Sequence, residues 1–457
     1  MRLDKNNKKE KRKYIFYNPR KNVNPKYEDD IDLRSVAEWI ACGFFLGDKN
    51  FTKLKYGQDE YFRAKESWYY EPRNISFNSA VEEFTHIFET LIFENIKNKK
   101  IILPLSGGLD SRTIASALRK KKKIVTYSYE FLEGVKETKY AKQISDEMGW
   151  PFYKYLIPRG YLWEKIEKLA EINSCQSDFT HPRQMAVIDQ ISNLGDLIIS
   201  GQWGDVLFDL SKLSHRANLD DQTGYLFNKI VKPGGLALSK RLWDEWGFSG
   251  QFEEILFNRI KELLLEIKIN NPNRRVQAFK SIHWAQRWAN PNLKIFSKNC
   301  ELFIPYYENS ICEFICTVPD RYLEDRKIQI KYLQNRSPAL AKIPWQVYDL
   351  NLYNYQYFNN IYLPRRVYRY LARILNEKIF KNTPKVQRNW ELQFLGAENS
   401  KNLKYWLFEK KILNNIISPK LIHTFYEKFQ TENQIIFSHP VSMLLTLSVW
   451  CEKFWKK

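Results

Sequence analysis

The sequence predicts an α/β fold: a parallel sheet with helices on both faces, followed by a mostly helical C-terminal region. Three observations carry this. Between residues 99 and 210, short apolar runs alternate with amphipathic stretches, the pattern of strands joined by crossover helices. A glycine pair stands between the first apolar run and its helix, in KKIILPLSGGLDSRTIASALRKKKK, residues 99–123. Beyond about residue 215 the apolar residues recur at helical spacing.

Taken in order, residues 1–75 are rich in Lys, Asn and Tyr and weakly periodic. They open on the basic, disordered-looking KNNKKEKRK (5–13), and VAEWIACGFFLG (36–47) has enough apolar content to pack. Residues 79–96 place Val81, Phe84, Ile87, Phe88 and Leu91 on one helical face. The alternation then reads strand 101–105, helix 110–120, strand 124–129, helix 136–148, strand 152–156, helices near 161–172 and 182–194, and strand 197–200. Helical segments follow at 251–268, 275–289, 309–317, 364–380 and 403–417. The Pro and Asn of 343–360 mark a break. This divides the chain into 1–75, a basic extension and incomplete domain; 76–345, the α/β unit; and 346–457, a helical region.

The chain has 457 residues, 44% of them hydrophobic, enough for a sizeable core. Its net charge of +20 favours anionic partners without dictating a fold. Arg119 to Lys123 read as a basic helix end, which complements the macrodipole. Six scattered cysteines with no CxxC pair read as reduced thiols in a cytoplasmic protein, and Cys312 and Cys316 as core residues on one helical face. No apolar run approaches the roughly 20 residues of a membrane span, so no membrane partner is expected.

A glycine pair between strand and helix lets backbone N–H groups approach an anion, and the following helix points its positive end at the same place. Asp110 within that turn would repel phosphates unless a divalent cation bridges them. The residues therefore fit Mg²⁺ with a nucleotide better than a bare phosphate. An ordinary strand-to-helix turn with a capping Asp or Ser is the competing reading. The loop matches neither of the two commonest nucleotide-binding patterns.

LSGGLDS (105–111) resembles the loop of the asparagine synthetase family, within the enzymes that cleave ATP between its α- and β-phosphates. TYSYEF (126–131), VKETKYAKQISDEMG (135–149), LIISGQWGDVLF (197–208), ELFIPYYE (301–308) and Lys331 resemble further family segments in the family's order. The resemblance spans about 97–340. It implies an adenine nucleotide α-hydrolase-like fold and an AMP-forming ligase that adenylates a carboxylate and transfers ammonia or an amine to it. It further implies that Leu105, Ser106, Gly107, Gly108 and Ser111 hold ATP, that Tyr129, Ser200 and Gly201 line the adenylate, and that Asp110 and Asp205 bind Mg²⁺. Gln202 and Glu301 fall at catalytic positions.

The chain also departs from the family's pattern. Residue 2 is Arg2 where glutamine-using members have a nucleophilic cysteine, so the resemblance implies a glutaminase-like remnant in 1–75 without glutaminase activity. Gln202 replaces a glutamate, Val206 follows the second Asp, and AKIPWQVYDLN offers no clear counterpart of a late lysine. His181 in DFTHPRQ falls near the family's substrate-binding Glu-Pro, with a helix-capping segment as the favoured reading. The expected partners are a small-molecule, sugar or peptide carboxylate and a separate ammonia-supplying glutaminase. A catalytically impaired nucleotide-binding subunit and an RNA-modifying or RNA-binding protein are the alternatives, and nucleic acid is the least favoured partner.

Overall fold

The computed structural model describes residues 30–53, 64–132, 138–297, 300–358 and 393–455. Five strands, β1 (Ile101–Pro104), β2 (Ile124–Phe131), β3 (Phe152–Ile157), β4 (Leu197–Ile199) and β5 (Glu301–Phe303), form one sheet. Their order is β3–β2–β1–β4–β5, and every pairing is parallel. Ile101 pairs with both Ile124 and Leu197, and Leu197 pairs with Glu301, so β1, β4 and β5 start level with one another.

The chain leaves β1 outward through β2 to β3, then returns to the other side of β1 for β4. Right-handed crossovers then place helices on both faces. The reversal opens a crevice between the carboxyl ends of β1 and β4, where open parallel sheets take ligands. Continuous apolar runs form the central strands because both faces are covered; Ile101, Ile102, Leu103 and Leu197 through Ile199 are all buried.

The helices used below are α1 (Leu33–Cys42), α2 (Phe77–Ile96), α3 (Leu109–Ala117), α4 (Thr138–Glu147), α5 (Tyr161–Asn173), α6 (Pro233–Glu245), α7 (Pro272–Phe279), α8 (Asn309–Thr317), α9 (Lys327–Arg336), α10 (Pro419–Thr431) and α11 (Gln434–Phe454). Ser76 caps α2, accepting from Ser79 N at 3.1 Å. On its buried face Phe84 and Phe88 meet the rings of Phe208, Tyr306 and Tyr332. α7 runs directly into a π-helical stretch, Lys280–Ala289. Cys312 and Cys316 are buried on α8, and all six cysteines are free.

Several boundaries differ from the sequence reading. α3 ends at Ala117, so Arg119–Lys123 form the turn into β2 rather than a last helical turn. The stretch 403–417 is broken into Ala397–Lys404, a π-turn at Tyr405–Glu409 and a 3₁₀ turn at Ile412–Asn415. The helix expected at 364–380 and the basic start at 5–13 lie outside the described residues. α11 is long and apolar enough to cross a membrane by length and composition, a segment the sequence reading passes over. Protein covers 78% of its apolar window, as for a core helix.

The two ends of the described chain join one hydrophobic core with the sheet. Trp39 Nε1 donates to Gln176 O at 2.9 Å, Ser239 Oγ to Ala37 O at 2.8 Å, and His439 Nε2 lies 2.9 Å from Ile40 O. α6 reaches both neighbours through Gly234 and Gly235: a Cβ on the first would strike Ile436 O, and on the second Ile40 O. On the opposite side Glu89 of α2 binds Arg119 and Arg336, at 2.7 and 2.8 Å, and accepts from Tyr332 Oη at 3.1 Å. Bonds from Arg336 and Arg119 outweigh the opposing effect of burial and hold its carboxyl down at about 2.

A helical Gly→Ala change ordinarily stabilises by about 0.4–1 kcal/mol. Gly235→Ala is expected to do the reverse, lowering stability by about 1–3 kcal/mol because the obstacle is backbone, as the shift of the urea midpoint will show. Because the Glu89 pKa falls on folding, its contribution is present above about 4.5 and is lost as pH falls towards 2. Melting temperatures across that range should therefore decline less steeply for Glu89→Gln than for the parent.

Candidate functional site

The first loop leaves β1 at Leu105, whose N–H makes the last ladder bond to Tyr127 O at 2.8 Å. The turn is tied by its own serines: Ser106 N donates to Ser111 Oγ at 3.1 Å, and Gly108 N to Ser106 Oγ at 3.2 Å. Gly108 is the N-cap of α3, with no side-chain cap, so the first N–H groups of the helix keep their capacity for an anion. Neither glycine has positive φ. Gly107 is required by space, since a Cβ there would stand 2.6 Å from Gln346 Cβ and 3.0 Å from Tyr140 Cβ.

The second loop follows β4. Ser200 N bonds Phe303 O at 2.9 Å, and Gln202 N donates to Ser200 Oγ at 3.3 Å. Trp203 adopts φ 75° and introduces a single helical turn, Gly204–Leu207, with Asp205 exposed in it. Two glycines let this loop lie against the start of α3. A Cβ on Gly201 would come 3.0 Å from Ser111 N, and one on Gly204 would collide with Asp110 Oδ1. Asp110 and Asp205 are thereby brought together across the crevice.

Asp110 is the most perturbed group there. Burial raises its carboxyl to about 6; Asp205 adds to the rise, while Arg326 and Gln329 oppose it. Its Oδ1 takes an ion pair from Arg326 and a hydrogen bond from Gln329 Nε2 at 3.1 Å. Arg326 Nε in turn donates to Gln329 Oε1 at 2.8 Å, and Tyr306 Oη donates to Asp110 O at 3.0 Å. Arg326 precedes α9 in the left-handed region, as does Asp325, which pairs with Lys212 at 2.5 Å. Among the described residues no group of three or more His, Cys, Asp or Glu could cage a metal. Two converging carboxylates instead suit Mg²⁺, which keeps one or two carboxylates and takes its other oxygens from a phosphate ligand.

A third segment covers the first loop. Arg112, fully buried on α3, donates to Ile343 O at 2.7 Å, Pro344 O at 2.9 Å, and Leu340 O and Gly107 O at 3.3 Å. Gln346 N donates to Gly107 O at 3.2 Å, and Tyr140 Oη to Asp349 at 2.5 Å. Residues 343–350 are thus fastened over the glycine pair. They bring Gln346 to it and no lysine; Lys342 is exposed.

Leu105, Ser106, Gly107, Gly108, Asp110, Ser111, Ser200, Gly201, Gln202 and Asp205 gather at the crevice. Tyr129 stands at the same edge: Pro104 pairs with Tyr127, so Tyr129 lies two residues further along β2, level with Ser106. Glu301 does not join them. It begins β5, level with Ile101, and pairs with Lys99 at 2.5 Å on the opposite edge of the sheet, about 13 Å from the loops at some 3.3 Å per strand residue. Lys331 lies within α9 rather than before it. His181 caps no helix; it pairs with buried Asp178 at 3.2 Å and meets the Trp288 ring edge-on at 4.8 Å. Arg326, Gln329, Tyr306 and Gln346 escaped sequence reasoning because each arrives from a distant segment, and Arg112 because its partners Leu340, Ile343 and Pro344 do. LDSR and the EDRKIQ that holds Arg326 and Gln329 stand more than two hundred residues apart, and charge alone does not pair them.

Arg112→Met should leave four carbonyls short of a donor, costing about 3–5 kcal/mol in denaturant titrations, with faster proteolysis near residues 343–350. A search of curated proteins finds no match to this chain. The family model described as asparagine synthase matches residues 97–325, running from just before β1 to the approach to α9 and so enclosing both loops and the whole sheet. The chain belongs to the asparagine synthase family.

Proposed function

We propose that this protein is an ATP-dependent, AMP-forming ligase that adenylates a carboxylate and passes ammonia or an amine to it. The single observation that supports this best is the meeting of Asp110 and Asp205 at the β1–β4 crevice, beside an uncapped helix start. Membership of a family of ATP-dependent amide-forming ligases supplies the reaction class.

In this reading the N–H groups of Gly107 and Gly108 and the hydroxyls of Ser106 and Ser111 receive the phosphates, with Leu105 closing the loop from beneath. Tyr129, Ser200 and Gly201 flank the adenosine side. Asp110 and Asp205 would hold Mg²⁺, which neutralises phosphate charge when bound. A substrate carboxylate oxygen attacks the α-phosphorus, the α–β P–O bond breaks, and pyrophosphate leaves. The amine nitrogen then attacks the acyl carbon, AMP leaves with the C–O bonding electrons, and the nitrogen gives its proton to solvent.

Gln202 keeps the shape of a glutamate but neither charge nor basicity. That change favours a carboxylate other than free aspartate, on a sugar, peptide or small metabolite. The nitrogen comes from free ammonia, an amine or a separate glutaminase. We read residues 76–345 as the ATP-binding domain, 1–75 as an extension with a glutaminase-like remnant, 346–457 as an accessory helical region, and the cytoplasm as the site of action.

The test is release of AMP and pyrophosphate from ATP over a panel of carboxylates with ammonium. Asp110→Asn and Asp205→Asn should each lower release by at least about a hundredfold. ATP binding without turnover on any carboxylate would point to a nucleotide-binding regulatory subunit; absence of both would end the proposal.

A further inference from the structure

In residues 342–350, Gln346 approaches Gly107 while Lys342 is exposed. Arg326 is already engaged with Asp110 and Gln329. A different cation stands on the other side of the carboxylate pair. Lys280, at the junction of α7 and the π-helical stretch, is only 8% exposed. Among the described residues its ammonium has no hydrogen-bond or ion-pair partner.

Its placement is fixed from both sides. One turn before it, Gln277 Nε2 donates to Val206 O at 3.0 Å and to Leu207 O at 2.9 Å. One residue after it, Ser281 Oγ accepts from Trp203 Nε1 at 3.2 Å. The helix is therefore bolted to the second loop on either side of Asp205, and Lys280 lies between the bolts. Asp205 and Asp209 are the carboxylates whose charge acts on it, with Lys229 opposing them. Burial lowers its pKa despite those acids. A buried ammonium with no partner is costly and would be replaced by a methionine of similar length without loss of packing. π-helical insertions recur at functional sites, where they re-aim a side chain.

We propose that Lys280 is a phosphate-binding residue of this site, reaching the nucleotide from the Asp205 side and supplying the cation that residues 343–350 do not. The inference rests on the ligase reading, because it takes ATP as the ligand. An ammonium at that place offsets charge on the α-phosphate or the departing pyrophosphate.

ATP affinity, measured by titration calorimetry with Mg²⁺ for the full chain, separates the two claims. Binding by the parent protein reports on the nucleotide site itself; its absence would remove both. Where the parent binds, Lys280→Met should weaken ATP by about ten- to a hundredfold, and Lys280→Arg should restore most of that, while the melting temperature stays level or rises. Undiminished affinity in Lys280→Met, or a lower melting temperature with affinity intact, would overturn the role of Lys280 and leave the ATP site standing. A second measurement needs no substitution. Reductive methylation of the parent followed by peptide mass analysis should show ATP with Mg²⁺ slowing modification of Lys280 while exposed Lys142 is unaffected, and equal rates at Lys280 with and without ATP would overturn the proposal.

Discussion

The structure turns on one steric constraint: the second loop must lie directly on the first turn of α3. Gly201 and Gly204 leave no room for a side chain against Ser111 and Asp110. With that contact made, the exposed carboxylate of Asp205 faces the half-hidden one of Asp110 and adds to the effect of burial in making its charge harder to hold. Raising the Asp110 carboxyl from 3.8 to about 6 has a defined sign. The ionised form is disfavoured in the folded chain, so stability declines as pH rises from about 4 to about 6 and stays lower above that.

Cations come from three directions. Arg326 meets Asp110 from the approach to α9, and Gln329 locks the guanidinium in place through its amide oxygen. Lys280 faces Asp205 from the opposite side and has no hydrogen-bond or ion-pair partner among the described residues. In the proposed reading, a divalent ion carried in with a nucleotide would be the third. Arg112 has a separate task. Its guanidinium, which among the described residues donates to backbone carbonyls, clamps residues 343–350 onto the glycine pair, and burial lowers its pKa to about 10. The glycine in the turn thus serves a protein contact as well as any phosphate.

Local patterns were legible in the sequence to the extent that they complete themselves locally. The strand–Ser-Gly-Gly–helix turn is closed by hydrogen bonds among Ser106, Gly108 and Ser111, so its residues alone specify it. The alternation of apolar runs gave the sheet, because parallel strands buried on both faces cannot look otherwise. Glu301 shows the limit. A motif fixes identity, but which end of a strand faces the crevice depends on register with β4, and that register puts Glu301 beside Lys99. α6 and its Gly234–Gly235 step went unread because helical glycines look like interruptions until the backbones of α1 and α11 are seen pressing on them. Arg326 and Lys280 depend wholly on packing between segments about 70 to more than 200 residues apart.

The same electrostatics gives a reason for the amide at position 202. This residue stands three places before Asp205, in a loop whose shape is set by the left-handed Trp203. A third carboxylate there would compete for Arg326 and Lys280 and would push the titration of Asp110 still higher, since like charges in a poorly solvated cleft raise one another. With a glutamine, Arg326 stays with Asp110 and no third charge enters the loop.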